Sequence, residues 1–565
     1  MGIPSDLEIA RGARLTPLPE VAAAMGLGPH LLEPYGDGVA KIKLSAIDEL
    51  AARPRAKYVV VSAVTPTPLG EGKTTTTVGL GQAFRHLGRT ATIAVRQPSM
   101  GPTFGIKGGA AGGGYSQVVP MDILNLHLTG DFHAVTAAHN MLAAVLDNHL
   151  YQGNPAGLDQ HQITWRRVLD VNDRSLRNVV VGLGGRLDGV PRETGFDITA
   201  ASEVMAILAL ATSLKELRER LGRIVVGYRR DGTAVRAEDI GGAGAMAAIM
   251  RDALKPNLMQ TLENTPVLVH AGPFGNIAHG NSSVVADLIG IHCGDYLITE
   301  AGFGADMGAE RFFNIKCRAS GLRPDAAVVV ATVRALKAHS GAHRIVAGRP
   351  LPEALLAENP DEVLAGGANL VKQIENIALH GVSPVVAVNA FPTDHPSELA
   401  AIRELAAAAG ARSAVCTHFA DGGAGAVELA EAVAEAAEEP TSFRFLYPDE
   451  ASLRDKIEAV ATRVYGADGV DYEPAAARQL ATYERNGFGS LPVCIAKTHL
   501  SISSNPALKG APTGWRLPVR EVRASVGAGF VYPICGDMRT MPGLGSDPAA
   551  HHIDIDDDGN ITNLS

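Results

Sequence analysis

The sequence has no strong excess of charge of either sign. Its 565 residues include 50 Lys and Arg and 60 Asp and Glu, which gives a formal net charge of -10 at pH 7. A protein that binds nucleic acid without sequence preference needs a basic surface that displaces counterions from phosphates. The mild acidic balance therefore argues against general nucleic-acid binding. It does not argue against a phosphate site, because such a site needs only a few well-placed donors.

Long apolar runs and a secretory signal are also missing. No stretch approaches the roughly 20 apolar residues that cross a bilayer. The N-terminal segment carries Asp6 and Glu8 and has no apolar core of the kind found in signal peptides. We therefore expect a cytoplasmic protein that has no membrane partner.

Cysteines are few, odd in number and scattered. No two of them have the spacing of zinc ligands, and an odd count does not suit a disulfide framework. Free thiols in a reducing compartment are the simpler interpretation. The five are Cys293, Cys317, Cys416, Cys494 and Cys535.

Composition and periodicity indicate an α/β fold. Hydrophobic residues make up 46% and charged residues 19% of the chain, which is typical of globular proteins. Short β-rich runs, several of them apolar on both faces, alternate with helical stretches such as 202–221 and 398–410, a pattern that favours a mainly parallel sheet covered by helices. The predicted strands are 58–64, 90–95, 179–183, 224–228, 266–270, 326–331 and 384–388.

A phosphate-binding loop is the strongest local motif. The buried strand 58–64 runs into a Pro/Gly-rich loop, and a helix is predicted from Lys73 to about Gly88. Free amides and the positive dipole end at a helix start attract an anion. In such loops the lysine, here Lys73, reaches the β- and γ-phosphates, and the hydroxyl of Thr74 is placed to hold Mg²⁺.

The match to G-x-x-x-x-G-K-[ST] is incomplete, because Thr67 stands at the first glycine position. An ordinary strand–helix turn is the alternative, but the preceding strand and the following helix favour phosphate binding. The predicted ATP contacts are Thr65, Pro66, Thr67, Pro68, Leu69, Gly70, Glu71, Gly72, Lys73 and Thr74.

The chain resembles the formate-tetrahydrofolate ligase family. The family's variant of the loop, Thr-Pro-Thr-Pro-x-Gly-Glu-Gly-Lys-Thr, is unbroken from Thr65 to Thr74. Further long blocks occur in family order along the whole chain. They include RQPSMGPTFG from Arg96, TGFDITAASE from Thr194, HAGPFGNIAHGNSS from His270, EAGFGADMGAE from Glu300 and CIAKTHLSIS from Cys494.

This resemblance implies a two-step reaction. Formate would attack the γ-phosphorus of MgATP to give formyl phosphate, and the N10 amine of tetrahydrofolate would then displace phosphate to give 10-formyltetrahydrofolate. Lys73 resembles the family lysine at the γ-phosphate, and Arg96 the arginine that holds formyl phosphate. The backbone at Phe303 and Gly304 resembles the family's cover over the formyl group. Structural roles, such as a core position for Phe303, are the alternatives.

The same resemblance implies a pterin site at Phe391, Pro392 and Phe419. The family usually has Trp where this chain has Phe419, and Glu where it has Gln97. A phenylalanine keeps a stacking face but loses area and an N–H donor. The alternative is that Phe391 and Phe419 belong to the hydrophobic core.

The resemblance also implies activation by K⁺ or NH₄⁺ and a homotetramer.

The length of the chain suggests roughly two to four packed units. We predict a P-loop nucleotide-binding core with additional α/β domains. That core would take residues 1–110 with 295–380. A second α/β domain would take 111–294, and a folate-side domain 381–565.

Three histidines, His127, His133 and His139, recur every six residues. On a helix that spacing turns each side chain by about 240° from the one before, so a shared metal site is not expected. One of them, or Asp131, could help to deprotonate the folate amine.

Two other functions fit parts of the sequence. The first is a nucleotide-dependent switch of the P-loop lineage. Such a protein would need only the phosphate loop, whereas the blocks that match the ligase family lie far from that loop. A homologue with weakened catalysis is the second possibility, given Gln97 and Phe419.

Overall fold

A twelve-stranded sheet runs through the computed structural model, which describes residues 4–105, 109–343, 345 and 351–564. Ten of its strands form one hydrogen-bonded path, and we number them in chain order. They are β1 (Leu32–Pro34), β2 (Ala40–Ile42), β3 (Lys57–Ala63), β4 (Ala91–Val95), β5 (Asn257–Thr261), β6 (Pro266–Val269), β7 (Tyr296–Glu300), β8 (Ala326–Ala331), β9 (Ser383–Asn389) and β10 (Arg412–Cys416).

The sheet is mainly parallel, as predicted. Its order is β1-β2-β5-β6-β4-β7-β3-β8-β9-β10, and every neighbouring pair from β6 to β10 along this path is parallel. Alternate residues of β3 enter different hydrophobic clusters, Tyr58 and Val60 on one face and Val59 and Val61 on the other. Burial on both faces explains why the strand is a continuous apolar run.

Two predicted strands lie outside this sheet. Val179–Val181 pairs antiparallel with Arg192–Thr194, and Val225–Arg229 lies in a three-stranded antiparallel sheet. The apolar runs therefore predicted that both segments are strands, but they did not predict which strands pair with them. The strands outside the ten-strand path are Gly112–Gly113, Ser116–Val119, Leu158–Ile163, Arg167–Leu169, Val179–Val181, Arg192–Thr194, Phe196–Ile198, Val225–Arg229, Ala234–Arg236, Val470–Tyr472, Leu517–Val519, Glu521–Ser525, Phe530–Ile534, Asp554–Ile555 and Ile561–Thr562.

The predicted helix at 202–221 is two helices, each capped by a serine. Ser202 accepts a hydrogen bond from the Val204 amide, and Ser213 accepts one from the Glu216 amide. The α-helices are Asp6–Arg11, Leu18–Ala24, Ala46–Leu50, Lys73–His86, Met100–Thr103, Met121–Asn125, Asp131–Tyr151, Glu203–Leu210, Leu214–Arg223, Ala243–Met250, Val284–Gly290, Arg318–Ser320, Val333–His339, Glu353–Leu356, Pro360–Ala378, Pro396–Ala408, His418–Asp421, Val427–Glu438, Leu453–Ala459 and Pro474–Arg485.

The central sheet takes strands from all three predicted domains. β3 and β4 come from the first, β5 and β6 from the second, and β9 and β10 from the third. The domain boundaries themselves stay a prediction.

All five cysteines are buried and carry free thiols. No helix in the described ranges is both long enough and apolar enough to cross a membrane.

Candidate active site

The predicted site residues follow the carboxyl ends of parallel strands. The phosphate loop follows β3, Arg96 follows β4, Phe303 follows β7, Phe391 follows β9 and Phe419 follows β10. Because these strands are parallel members of one sheet, their carboxyl ends lie at the same edge. The fold thus brings segments that are far apart in sequence to one edge of the sheet.

The phosphate loop ends in a left-handed glycine immediately before its helix. Gly72 has φ 77°, and Lys73 is the first residue of the helix that ends at His86. A Cβ at Gly72 would lie 2.7 Å from Nδ2 of Asn389, so both the backbone conformation and the space require glycine. Gly88, with φ 67°, lies just beyond the helix end, as predicted.

Thr67 has a structural role at the position where the usual motif has glycine. The buried carboxylate of Glu71 accepts hydrogen bonds from the Thr67 backbone amide (2.7 Å) and from its hydroxyl (3.1 Å). The other carboxylate oxygen of Glu71 lies 3.8 Å from Nζ of Lys73. The threonine hydroxyl therefore helps to close the loop and to hold the acid that faces the lysine.

Buried polar side chains hold Thr65, at the start of the loop. Asn369 accepts from the Thr65 amide at 2.9 Å, and Gln373 donates to the Thr65 hydroxyl at 3.0 Å. Nε2 of His339 lies 2.8 Å from the Thr65 carbonyl oxygen. Burial lowers the pKa of His339 to about 4, so the ring is neutral and Nε2 is its donor. These bonds fix the loop against the helices behind it.

Glu300, the last residue of β7, joins Thr74, predicted to bind ATP and Mg²⁺, to Arg96, predicted to be catalytic. The Thr74 hydroxyl donates to one carboxylate oxygen at 2.7 Å, and Nε of Arg96 lies 3.6 Å from the other. Only 3% of Glu300 is exposed. Sequence reasoning missed this residue because β7 was not among the predicted strands. The available signal was an acid that ends a short apolar run, YLITE.

The guanidinium of Arg96 lies against two glycines and keeps unused donor capacity. Nη1 donates to the Pro273 carbonyl at 3.3 Å, and a Cβ on Gly302 would lie 3.4 Å from Nη2. In the part of the chain that the structure describes, Nε of Arg96 has no hydrogen-bond partner, and neither amide atom of Gln97 has one. Buried polar atoms of this kind usually have partners. A small anion beside Arg96 would supply an acceptor.

Phe303 and Gly304 lie between the arginine side and the phosphate loop. Phe303 has φ 62°, which is uncommon for a non-glycine residue and costly to hold. Its half-buried ring stacks on His499 with centroids 4.7 Å apart. A Cβ on Gly304 would lie 3.2 Å from Cα of Thr65. The strained backbone is therefore packed directly against the start of the phosphate loop.

A buried ion pair supports this segment from behind. Asp306 accepts from Nζ of Lys497 at 2.8 Å and from Gln373 at 2.8 Å, and both charged side chains are almost fully buried. Since Gln373 also holds Thr65, one network connects the 303–304 backbone with the phosphate loop.

Phe391 and Phe419 follow neighbouring strands, because β9 and β10 are paired. Phe419 is 43% exposed and is not part of the core. The ring of Phe391 is half-buried, with the Arg334 guanidinium 4.1 Å from its centroid, and Pro392 is exposed. Both rings thus keep surface that a flat ligand could cover.

The loops of these two rings are tied to the phosphate loop. Asn389, two residues before Phe391, donates to the Glu71 carbonyl at 3.1 Å. His418, next to Phe419, is buried with Nε2 3.1 Å from the Thr76 hydroxyl. The two halves of the site are therefore parts of one hydrogen-bonded framework.

The three histidines do not share one face, but the helical spacing used to predict this does not apply to His127. The helix begins at Asp131, so His127 lies in the preceding turn, where its ring nitrogen is 2.9 Å from that of His133. His139 is buried and stacks on Trp165. Asp131 is buried and paired with Lys41 at 2.8 Å, which argues against a role as base. Within the described ranges, no group of three or more potential ligands could hold a metal ion.

Comparison with known proteins gives a consistent result over the whole chain. The family model described as formate-tetrahydrofolate ligase matches residues 4–565. A formate-tetrahydrofolate ligase of Saccharopolyspora erythraea is 76% identical over 565 residues, which is all of both chains. Formate-tetrahydrofolate ligase 1 of Rubrobacter xylanophilus is 71% identical over 99% of each chain. The Cutibacterium acnes protein of the same name is 66% identical over 99% of this chain and 100% of its own.

Proposed function

The chain belongs to the formate-tetrahydrofolate ligase family, and on that premise we propose that it makes formyl phosphate between Lys73 and Arg96. Its activity is the ATP-dependent ligation of formate to tetrahydrofolate, which decides against the nucleotide switch. One observation carries the proposed mechanism. The buried carboxylate of Glu300 lies 2.7 Å from the Thr74 hydroxyl and 3.6 Å from Nε of Arg96, so the phosphate loop and the arginine share one partner.

In the first step an oxygen of formate attacks the γ-phosphorus of ATP, the bond to the β–γ bridging oxygen breaks, and ADP leaves. Charge develops on the transferring group and on the leaving oxygen, so well-placed cations and amides stabilise the transition state. Lys73 and the amides at its helix start supply them. The hydroxyl of Thr74 and the carboxylate of Glu300 are oxygen donors of the kind that Mg²⁺ prefers, and they would hold the metal that accompanies ATP.

In the second step the N10 amine of tetrahydrofolate attacks the formyl carbon, and the carbon–oxygen bond to phosphate breaks. Arg96 would hold the phosphate through its planar fork, which matches two oxygens at once. The Phe303–Gly304 backbone would cover the formyl group. Covering matters because an acyl phosphate is lost to hydrolysis when water reaches it.

The pterin ring of tetrahydrofolate would lie between Phe391 and Phe419, next to Pro392. Aromatic stacking of this kind contributes about 0.5–1.5 kcal/mol beyond the burial of area. The exposed surface of Phe419 and the half-buried ring of Phe391 support this placement.

We also propose that K⁺ or NH₄⁺ activates the enzyme and that it works as a homotetramer in the cytoplasm. Buried amide oxygens without a hydrogen-bond partner, at Gln97, Asn276 and Asn281, are the type of ligand such a cation takes. A comparison of turnover in potassium chloride with turnover in tetramethylammonium chloride tests whether the cation activates the enzyme. Sedimentation equilibrium tests for a mass four times that of one chain, and cell fractionation tests the compartment.

The reverse of the first step tests the mechanism directly. Purified enzyme given formyl phosphate and MgADP, without folate, should synthesise ATP. An enzyme that ligates formate to tetrahydrofolate at a normal rate but makes no ATP under these conditions would show that formyl phosphate is not its intermediate. The forward turnover in the same preparation also tests whether Gln97 and Phe419 weaken catalysis.

A further inference from the structure

A large cleft is lined by residues that all lie outside the ten strands β1 to β10. Its volume is about 910 Å³, within the range of pockets that hold small-molecule ligands. The predicted ATP-binding and folate-binding residues do not line it, and of the candidate bases named above only His139 does. Its walls come from several distant parts of the chain, which include 160–166, 177–178, 191–206, 225–228, 277–278, 479–483, 523–532 and 538–541.

Arginine is the dominant charged residue in this cleft. Five arginines and three acidic residues line it. The acids are Glu193, Asp197 and Glu203, and the arginines are Arg166, Arg177, Arg192, Arg523 and Arg539. This local excess of positive charge differs in sign from the chain as a whole, whose net charge is -10.

Two of the arginines are occupied by the protein itself. Arg192 donates through Nε and Nη2 to Asp147 at 2.9 and 2.8 Å. Arg166 donates to Asp197 at 3.2 Å and to the Arg177 carbonyl at 3.0 Å. These two side chains build the wall and have few donors left for a ligand.

Two of the other three keep donors for a ligand. Arg177 donates through Nε to the Met541 carbonyl at 2.9 Å. Arg523, by contrast, is paired with Glu521 at 2.9 Å and also hydrogen bonds to Tyr532. For Arg539, which is exposed, the described part of the chain offers no hydrogen bond or ion pair. The terminal nitrogens of Arg177 likewise have no acceptor among the described residues. The guanidinium groups of Arg177 and Arg539, from two separate segments, thus have free donors around one cleft.

The acids cancel only part of this charge. Asp197 is taken by Arg166 and by the Thr540 hydroxyl. One oxygen of Glu203 accepts from the amides of Gly527 (2.7 Å) and Ala528 (3.2 Å), and burial raises its pKa to about 7. Asp197 also interacts electrostatically with Arg523, and Glu193 is an exposed acid with no ion pair among the described residues. The five arginines still outnumber the three acids, so the lining keeps a positive balance.

We propose that this cleft binds a small oligoanion, a molecule with two or more carboxylate or phosphate groups. Guanidinium groups pair with both kinds of anion through two parallel hydrogen bonds. Because the available arginines project from separate segments, a ligand with more than one anionic group uses them better than a single anion does. The proposal is independent of the mechanism given above for the ligase reaction.

Isothermal titration calorimetry on the full-length protein tests this, with saturating ADP and excess Mg²⁺ to occupy the phosphate loop. The probes are tripolyphosphate and tetraglutamate. At least one should bind once per chain, and Arg177→Ala and Arg539→Ala should each weaken it about tenfold or more, as expected for a lost hydrogen bond to a charged group. Binding of tripolyphosphate alone identifies a phosphate ligand, and binding of tetraglutamate alone identifies a carboxylate ligand.

The matched control is Arg251→Ala, which removes an exposed arginine that does not line the cleft. It should leave probe binding unchanged. Because Arg539 forms no hydrogen bond or ion pair with the described residues, Arg539→Ala should also keep the wild-type melting temperature. A loss of binding in this variant would then not result from misfolding. If neither probe binds in the presence of ADP, or if both cleft variants bind like wild type, the cleft is not an oligoanion site.

Discussion

The nucleotide side and the folate side of the proposed site lie on one edge of one sheet but are built differently. On the nucleotide side, Thr65, Glu71 and Glu300 are almost fully buried and hydrogen bonded to other parts of the chain. On the folate side, Phe419 is 43% exposed and Phe391 is half-buried. The nucleotide side is therefore held in place by the protein's own hydrogen bonds, whereas the folate side presents exposed ring surface.

This difference follows from what each side is expected to do. Stabilising charge in a transition state needs donors that are already in place, because reorganisation during the reaction would cost free energy. Stacking on a flat ring needs a free ring face and little else. Substitutions on the nucleotide side should therefore reduce the rate strongly, and substitutions on the folate side should mainly change the KM for tetrahydrofolate.

The largest effect should come from Lys73→Ala. Loss of a transition-state phosphate contact typically costs about 3 kcal/mol or more, so formate-dependent ADP formation should fall by roughly 150-fold or more. Lys215→Ala, at an exposed helical lysine, is the matched control. A folded Lys73→Ala enzyme with near-normal turnover would remove the lysine from the mechanism.

Arg96→Lys should come next. The variant keeps the charge but loses the bidentate fork, and hydrogen bonds to charged groups contribute about 1.5–3 kcal/mol. We expect at least a roughly tenfold loss both in ligation and in ATP synthesis from formyl phosphate. If both rates match wild type, Arg96 is not the group that holds formyl phosphate.

Glu300→Gln tests the residue that connects the two catalytic groups. Glutamine can still accept from Thr74 but has no charge for a metal ion, so the Mg²⁺ concentration for half-maximal turnover should rise about tenfold. An unchanged magnesium dependence would mean that Glu300 only positions Thr74 and Arg96.

The smallest effects are expected on the folate side. Phe419→Ala should raise the KM for tetrahydrofolate roughly tenfold and leave the KM for ATP nearly unchanged, and Phe419→Trp, the usual family residue, should lower the former. Steady-state kinetics with each substrate varied in turn checks both. Equal weakening of ATP and tetrahydrofolate would mean that the ring supports the phosphate loop through His418 rather than binding the pterin.

Local features of the sequence predicted local structure well. The start of the helix at Lys73 and the left-handed Gly88 beyond its end were predictable, because glycine conformations and helix ends depend on a few neighbouring residues. The position of Phe391 after a strand followed from the predicted strand 384–388, whereas the strand Arg412–Cys416 before Phe419 was not predicted.

Features that depend on distant partners were not predictable. The apolar runs at 179–183 and 224–228 form strands, but which sheet they join depends on pairing that no local pattern shows. Glu300 could be recognised as a site residue only once the structure showed β7 between β4 and β3 in the sheet. The helical spacing applied to His127 failed because the helix begins four residues after it.

The central claim is that formate is activated as formyl phosphate, and isotope transfer tests it most directly. When the enzyme turns over with ¹⁸O-labelled formate, MgATP and tetrahydrofolate, the oxygen that attacked the γ-phosphorus should leave with the phosphate. Mass spectrometry should therefore find one formate oxygen in each molecule of product phosphate. Product phosphate without label, formed at the same rate as 10-formyltetrahydrofolate, would contradict the proposed mechanism.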